Sequence, residues 1–280
     1  MHQEFQSRRE LRRMQSQTSG KLTHFSCGTT RHDMRQILRD APSEYRIFPA
    51  GVFLYEHHSG ERVLFDTGYS SDIYAPSFKN MVYRKALPPE IDSQSEIHAQ
   101  LKKREIEPSS IGHVVLSHLH PDHIGGVKYF PNASFVMGWA ALSSLESPRL
   151  KEGIFRRLLP DWFSDANILS LDKDALTSLK LADIQGYDLF NDQSFVVTSL
   201  PGHARGHLGA LVEQRVLLAG DASWGEDILP KAQDLRWLPS TILDDYPAYI
   251  ATAHRLMALA SDGVQLCFSH DQYKEETIIG

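Results

Sequence analysis

Ser117-His118-Leu119-His120-Pro121-Asp122-His123-Ile124-Gly125-Gly126 packs three histidines and one aspartate into six residues, directly after the apolar run His113-Val114-Val115-Leu116. A short apolar run of this kind suits a buried strand, so the string that follows is expected at a strand end. Pro121 stiffens that loop and the two glycines are expected to free it. Imidazole nitrogen and carboxylate oxygen are the donors that zinc takes in open catalytic sites. A single histidine here would be an ordinary polar loop residue. The whole HxHxDH string points to metal.

Working outward, three later segments that carry histidine or aspartate also follow apolar runs. They are Pro201-Gly202-His203-Ala204-Arg205-Gly206-His207, then Ala219-Gly220-Asp221-Ala222, then Phe268-Ser269-His270-Asp271. Strands are expected at Leu22 to Cys27, Ser134 to Met137, Ser194 to Leu200, Leu208 to Glu213, Val216 to Ala219 and, closing the chain, Val264 to Phe268. Gly51 to Glu56 and Arg62 to Phe65 read as a hairpin joined by His57-His58-Ser59-Gly60. A helix is expected over Ser93 to Glu105, with Ser93 as N-cap, Glu96 three residues on and Pro108 as its stop. A second is expected over Asp245 to Ala260, with Ile250, Ala253, Leu256, Met257 and Ala260 on one stripe. The whole is a mixed α/β pattern from Lys21 to Gly280. Residues 1 to 20, with Arg8, Arg9, Arg12 and Arg13 among polar neighbours, read as a flexible basic arm.

The 280 residues are 41% hydrophobic and 23% charged, enough to bury one large core. A net charge of -6 and a pI near 6.1 give no reason to expect nucleic acid or an anionic membrane as partner. Cys27 and Cys267 are too few for a disulfide framework and form no CxxC pair. With no apolar run of about 18 residues and no apolar segment after the paired arginines, the expected location is the cytoplasm.

The order HxHxDH, GH, GD, SH resembles that of the metallo-β-lactamase superfamily from about Lys21 to Gly280. Within it, PGHxxGH, GDAS and the terminal His-Asp resemble the N-acyl-homoserine lactonases. The resemblance implies a four-layer αββα sandwich with a metal cleft at one edge. It implies His118, His120 and His203 as ligands of one divalent ion, Asp122, His123 and His270 as ligands of a second, and Asp221 as the bridge. Zinc is the expected metal, with manganese, iron and cobalt as alternatives. Asp66, in Val63-Leu64-Phe65-Asp66-Thr67-Gly68, matches a motif whose carboxylate supports the ligand loop. His207 is expected behind the ligands rather than among them.

Two such ions can generate hydroxide at neutral pH and polarise a carbonyl, and Asp122 is cast as both ligand and proton carrier to the leaving group. Ser117 and Ser223 are expected to bond backbone rather than to attack substrate. Apolar and aromatic residues in Tyr69 to Pro89 and Ile154 to Phe163 either line a pocket for an acyl chain or serve as core or a dimer face. A lactone or ester is therefore the first expectation for the small-molecule substrate. Lys79, Arg84, Lys85, Arg156 and Arg157 keep open a phosphodiester or a glutathione thioester, as in glyoxalase II. A non-catalytic metal-binding regulatory module is the alternative of another class. One departure stands out: lactonases carry tyrosine three residues after the bridging aspartate, and here that residue is Trp224.

Overall fold

The structure, a computed structural model, describes residues 19–147, 152–177, 179–181, 184–273 and 277–279. Its strands run in chain order as β1 (Lys21–Asp33), β2 (Tyr45–Glu56), β3 (Arg62–Phe65), β4 (Pro89–Glu90), β5 (His113–Val115), β6 (Ser134–Gly138) and β7 (Ile168–Leu171). There follow β8 (Leu179–Leu181), β9 (Ile184–Asp188), β10 (Phe195–Ser199), β11 (Leu208–Val212), β12 (Val216–Gly220), β13 (Gln265–Phe268) and β14 (Thr277–Ile279). The helices are α1 (Phe78–Ala86), α2 (Ile97–Lys103), α3 (Pro121–Ile124), α4 (Trp139–Glu146), α5 (Trp237–Ile242) and α6 (Tyr246–Ser261).

One sheet has the order β14-β1-β2-β3-β5-β6-β7, with β4 paired to β1, and the other has the order β13-β12-β11-β10-β9-β8. The expected hairpin forms with Phe53 opposite Phe65 and Glu56 opposite Arg62. From β3 the pairing turns parallel through β5, β6 and β7, which sends successive strand ends to one edge.

Alternation along the strands builds the layers, because successive side chains point to opposite faces. Phe53, Tyr55, Val63, Phe65 and Val115 of the first sheet meet Phe195, Val197, Ala210, Val212, Val216 and Leu218 of the second in one buried cluster. Their neighbours Val52, Leu54, Leu64 and Val114 face outward into a second cluster with Ile97 and Leu101 of α2. On the far side, Val196, Leu211, Leu217 and Ala219 pack with Tyr249, Ala253, Leu256 and Leu259 of α6. Both faces of each sheet are covered, which is why these strands read as continuous apolar runs. The result is the αββα sandwich.

Several local expectations need correction. Ser93 does not cap a helix: α2 begins at Ile97 after Glu96, while Asp92 Oδ1 accepts from Gln94 N at 3.0 Å in a preceding turn. Nor does Pro108 stop it. The chain reverses at Glu105, whose φ is 59°, and Ile106 N donates back to Leu101 O. Asp245 caps α6 by accepting from Ala248 N at 3.0 Å, but the buried stripe is Tyr249, Thr252, Ala253, Leu256 and Leu259, rotated from the expected one. β13 does not close the chain, because β14 returns to pair with β1. Of the expected arm, residues 1–18 lie outside the described residues. Gly20 is already docked, its N donating to Glu213 Oε1 at 2.7 Å. Cys27 and Cys267 are buried and free. Among the described residues no helix is long and apolar enough to cross a membrane.

Candidate metal centre

His118 and His120 follow the end of β5, His120 in extended backbone, and Pro121 at the start of α3 turns the chain so that Asp122 and His123 lie on its single turn. Leu208 N donates to Ser117 O at 2.9 Å, which ties this loop to the second sheet near His207. The two glycines act differently from the expectation. Gly125 (φ -58°) and Gly126 (φ -88°) have ordinary backbone angles, so they give no special freedom. They make room: a Cβ on Gly125 would stand 2.7 Å from Gly68 O, and one on Gly126 2.5 Å from Thr67 O. The ligand turn is thereby pressed against the Asp66-Thr67-Gly68 turn, where Thr67 N and Oγ1 both donate to His123 O.

Seven side chains from four segments, those that follow β5, β10, β12 and β13, converge at this edge. His118 Nε2 lies 2.9 Å from His120 Nδ1, and His203 Nε2 lies 3.2 Å from both. Asp221 Oδ2 is 3.4 Å from His203 Nε2 and 3.9 Å from His118 Nε2. Facing this group, His123 Nε2 is 3.5 Å and His270 Nε2 3.7 Å from Asp122 Oδ2. The same Asp221 carboxylate reaches across, with Oδ2 3.1 Å from His270 Nε2 and Oδ1 3.4 Å from His123 Nε2.

The donor chemistry fits two cations. Three imidazole nitrogens in mutual contact cannot all be satisfied by one another, because each neutral ring has a single N–H. Their spacing is near the ~3.3 Å separation of tetrahedral ligands at bond lengths of about 2.0–2.1 Å. His123 Nε2 and Asp221 Oδ1 are buried without a hydrogen-bond partner. Buried polar atoms are seldom left so.

Behind the converging atoms stand the groups that aim them. Asp66 is fully buried and accepts from Ser117 N at 2.7 Å, Ser117 Oγ at 2.8 Å and His123 Nδ1 at 2.8 Å. His207 Nδ1 donates to Leu200 O at 3.0 Å, and its Nε2 accepts from Asp221 N at 3.1 Å, so it holds the backbone of the shared aspartate. His270 Nδ1 donates to Pro49 O at 2.7 Å. Such partners fix the tautomer and leave the other ring nitrogen for a metal. Ser223 Oγ donates to the backbone at Gly225 O as expected, whereas Ser117 Oγ departs from the expectation and donates to the Asp66 carboxylate.

Electrostatics divide the two groups. Burial, then the neighbouring histidines, holds His118 well below the usual histidine range, and burial does the same to His203. These rings are neutral and ready to ligate. Burial opposes charge on His123 and His270, but Asp221 and Asp122 outweigh it and raise both. Burial likewise opposes ionisation of Asp122, yet His123 and His270 pull its carboxyl down to about 2.

Trp224 stands edge-on to His203, ring centroids 6.1 Å apart, and packs toward Tyr249. The two aromatic segments split. Ile154, Phe155, Leu158 and Phe163 belong to the core, whereas Phe78, Met81 and Val82 on α1 are exposed. Of the cations there, Lys79 Nζ donates to Ile154 O and lies over Phe155, Arg84 lies over Tyr74, and Arg156 donates to Leu145 O. Two features escaped the sequence reading. Arg205 pairs with Glu152 at 3.2 Å beside His120 and His203, and Tyr69 and Tyr83 join hydroxyls at 2.7 Å. No motif marks either, because each pair is separated by more than ten residues and meets only in the fold.

The metallo-β-lactamase superfamily pattern matches residues 47–262. The N-acyl homoserine lactonase AttM of Azorhizobium caulinodans is 31% identical over 187 residues, which is 62% of this chain and 63% of that protein. The aligned stretch thus spans less than two thirds of that relative. Among solved structures, an N-acyl homoserine lactone hydrolase with the product N-hexanoyl-L-homoserine bound at its catalytic metal center superposes with a TM-score of 0.69. It is 20% identical, over 91% of this chain and 94% of that one. AidC, a dizinc quorum-quenching lactonase, superposes with a TM-score of 0.60 at 16% identity, over 91% and 88%. At such identities these two likenesses are of fold. With a matched pattern that runs from β2 to α6 and takes in His118, His120, Asp122, His123, His203 and Asp221, the chain belongs to the metallo-β-lactamase superfamily.

Proposed function

We propose that this protein is a dinuclear metal-dependent hydrolase that opens a lactone or ester, with N-acyl-homoserine lactones as the substrate class. The observation that carries the reading is the shared carboxylate: Asp221 reaches His203 and His118 of one donor group and His270 and His123 of the other. His118, His120 and His203 would hold one ion, Asp122, His123 and His270 the other, and Asp221 both. A pair of divalent ions held there would lower the pKa of a shared water toward about 7 and polarise a carbonyl oxygen.

The chain supplies the rest. Asp122 stays ionised beside His123 and His270, so its carboxylate can take the proton released by the attacking water and return it to the leaving alkoxide. Asp66 and Pro49 O keep the ring nitrogens of His123 and His270 turned toward the centre. The names of the lactonase relatives support the substrate class. The engagement of Lys79, Arg84 and Arg156 with backbone and rings removes much of the support for a phosphodiester.

The test is metal stoichiometry measured together with hydrolysis of lactones, esters, thioesters and phosphodiesters. Two ions per chain, zinc or a substitute such as manganese, and lactone turnover abolished by exhaustive chelation are expected. One ion or none in protein grown with ample zinc overturns the paired site. Two ions with no turnover of any substrate would favour a metal-binding module.

A further inference from the structure

Tyr69 follows the Asp66-Thr67-Gly68 turn, and its backbone abuts the end of α3. A Cβ on Gly125 would stand 2.7 Å from the Tyr69 carbonyl carbon. Tyr83, on α1, packs edge-on to Phe155 with centroids 5.0 Å apart. Two residues before Phe155, Gly153 lies against the His120 ring, where an added Cβ would be 3.2 Å from Cδ2. The two phenol oxygens meet at 2.7 Å. The pair is thus anchored on one side to the turn that carries Asp122 and on the other to the segment that covers His120.

Two hydroxyls in contact use one O–H between them and keep the other. Tyr69 is only 2% exposed, whereas Tyr83 is half-buried. Either hydroxyl can donate to the other; the deeper burial of Tyr69 favours it as the donor within the pair, which leaves the remaining O–H to Tyr83. A donor that itself accepts a hydrogen bond is polarised and made stronger.

We propose that Tyr83 donates its hydroxyl hydrogen bond to the substrate carbonyl oxygen as that oxygen gains negative charge, and that Tyr69 positions and polarises it. The inference rests on the carbonyl-hydrolase reading above. The proton stays on the phenol throughout. Burial, followed by the charge of Asp122, raises both phenols well above the usual tyrosine range, so both are protonated donors at neutral pH. Trp224, edge-on to His203, offers a single indole N–H and no hydroxyl. The geometry assigns the hydroxyl to α1 instead.

The experiment uses the full metal-loaded chain and begins with wild-type hydrolysis of N-hexanoyl-homoserine lactone and of bis(p-nitrophenyl) phosphate. Tyr83→Phe, Tyr69→Phe and the double variant are then compared for kcat, KM, metal content, melting temperature and calorimetric binding of N-hexanoyl-L-homoserine. Loss of an oxyanion donor costs about 10²–10³ in kcat. Tyr83→Phe should show that loss on the lactone, with KM, product binding, metal content and melting temperature little changed. Tyr69→Phe should lose less. The double variant should be no worse than Tyr83→Phe, since Tyr69 acts through Tyr83. Full kcat in Tyr83→Phe, or a loss matched by fallen melting temperature and metal content, overturns the inference and leaves the hydrolase reading standing. Wild type that cleaves the phosphodiester and no lactone overturns that reading and this inference with it. Should Tyr83→Phe fail to fold, Tyr69→Phe decides: a kcat loss at constant metal content supports the pair, and unchanged kcat refutes it.

Discussion

Asp66→Asn keeps the shape of the buried carboxylate and changes its hydrogen-bond grammar. Asp66 Oδ1 accepts from Ser117 N, and an amide oxygen can keep that bond. Oδ2 accepts from both Ser117 Oγ and His123 Nδ1, and in asparagine that corner becomes an NH₂ donor. Ser117 can rotate to accept from it. His123 cannot donate to a donor, so its proton moves to Nε2, the atom that faces Asp122 and Asp221. A protonated Nε2 is no ligand. One charge-assisted hydrogen bond, worth about 1.5–3 kcal/mol, is lost where both groups are fully buried. That agrees with the 10- to 100-fold fall in metal affinity, about 1.4–2.7 kcal/mol, expected when such a support is removed.

The loss should fall on the ion held by Asp122, His123 and His270, because Asp66 makes no bond to His120 or His203. Chelator competition on the loaded protein, read for each of two ions, would measure it. Asp221→Ala is the reference and should weaken both ions or uncouple them, since that carboxylate touches both groups. Asp66→Asn proving worse than Asp221→Ala for total metal, or weakening only the His118, His120 and His203 group, would refute this division of roles.

Other perturbations test the frame. Gly51 lies against the His270 loop, and an added Cβ would be 2.5 Å from Ser269 O, so Gly51→Ala should cost about 1–3 kcal/mol and loosen the ion near His270. Equal melting temperature and metal content would contradict that. His24 is buried and burial holds it down at about 4. Its contribution to stability is complete above the unfolded value near 6.5, declines below it, and is gone once the pH has fallen through about 4. That gap is worth about 3 kcal/mol. His24→Phe, which keeps a ring against Phe53 and Tyr273, should flatten the stability profile between those values. Parallel profiles for variant and wild type would show that His24 does not titrate in this way. Deleting residues 1–18, which precede docked Gly20 and show no apolar periodicity, should leave melting temperature and metal content unchanged. A large fall in either would make the arm structural.

By itself the sequence placed most of the strands and the segments rich in metal-binding residue types, and its resemblance to the superfamily supplied the layers. Strand positions were legible because strands buried on both faces must be apolar throughout, as in Val114-Val115-Leu116 and Val216-Leu217-Leu218-Ala219. Histidine and aspartate at strand ends made the metal-binding segments conspicuous, and the resemblance of HxHxDH, GH, GD and SH to the superfamily order picked out the seven candidate ligands among them. Helix ends were less legible: a capping pattern at Ser93 lost to a local Asp92 turn, and Glu105 reversed the chain before Pro108 could act. Only the tertiary structure decided how the ligand turn is held. Gly125 and Gly126 looked like sources of freedom, yet they serve contact with residues more than fifty positions away. Only it brought the Tyr69 and Tyr83 hydroxyls together, and only it showed Asp221 within reach of both donor groups. The physical reason is common to all three. Strand pattern follows from the burial of each residue on its own pleat, whereas hydrogen bonds and close approaches belong to pairs of residues whose separation the chain path alone does not fix.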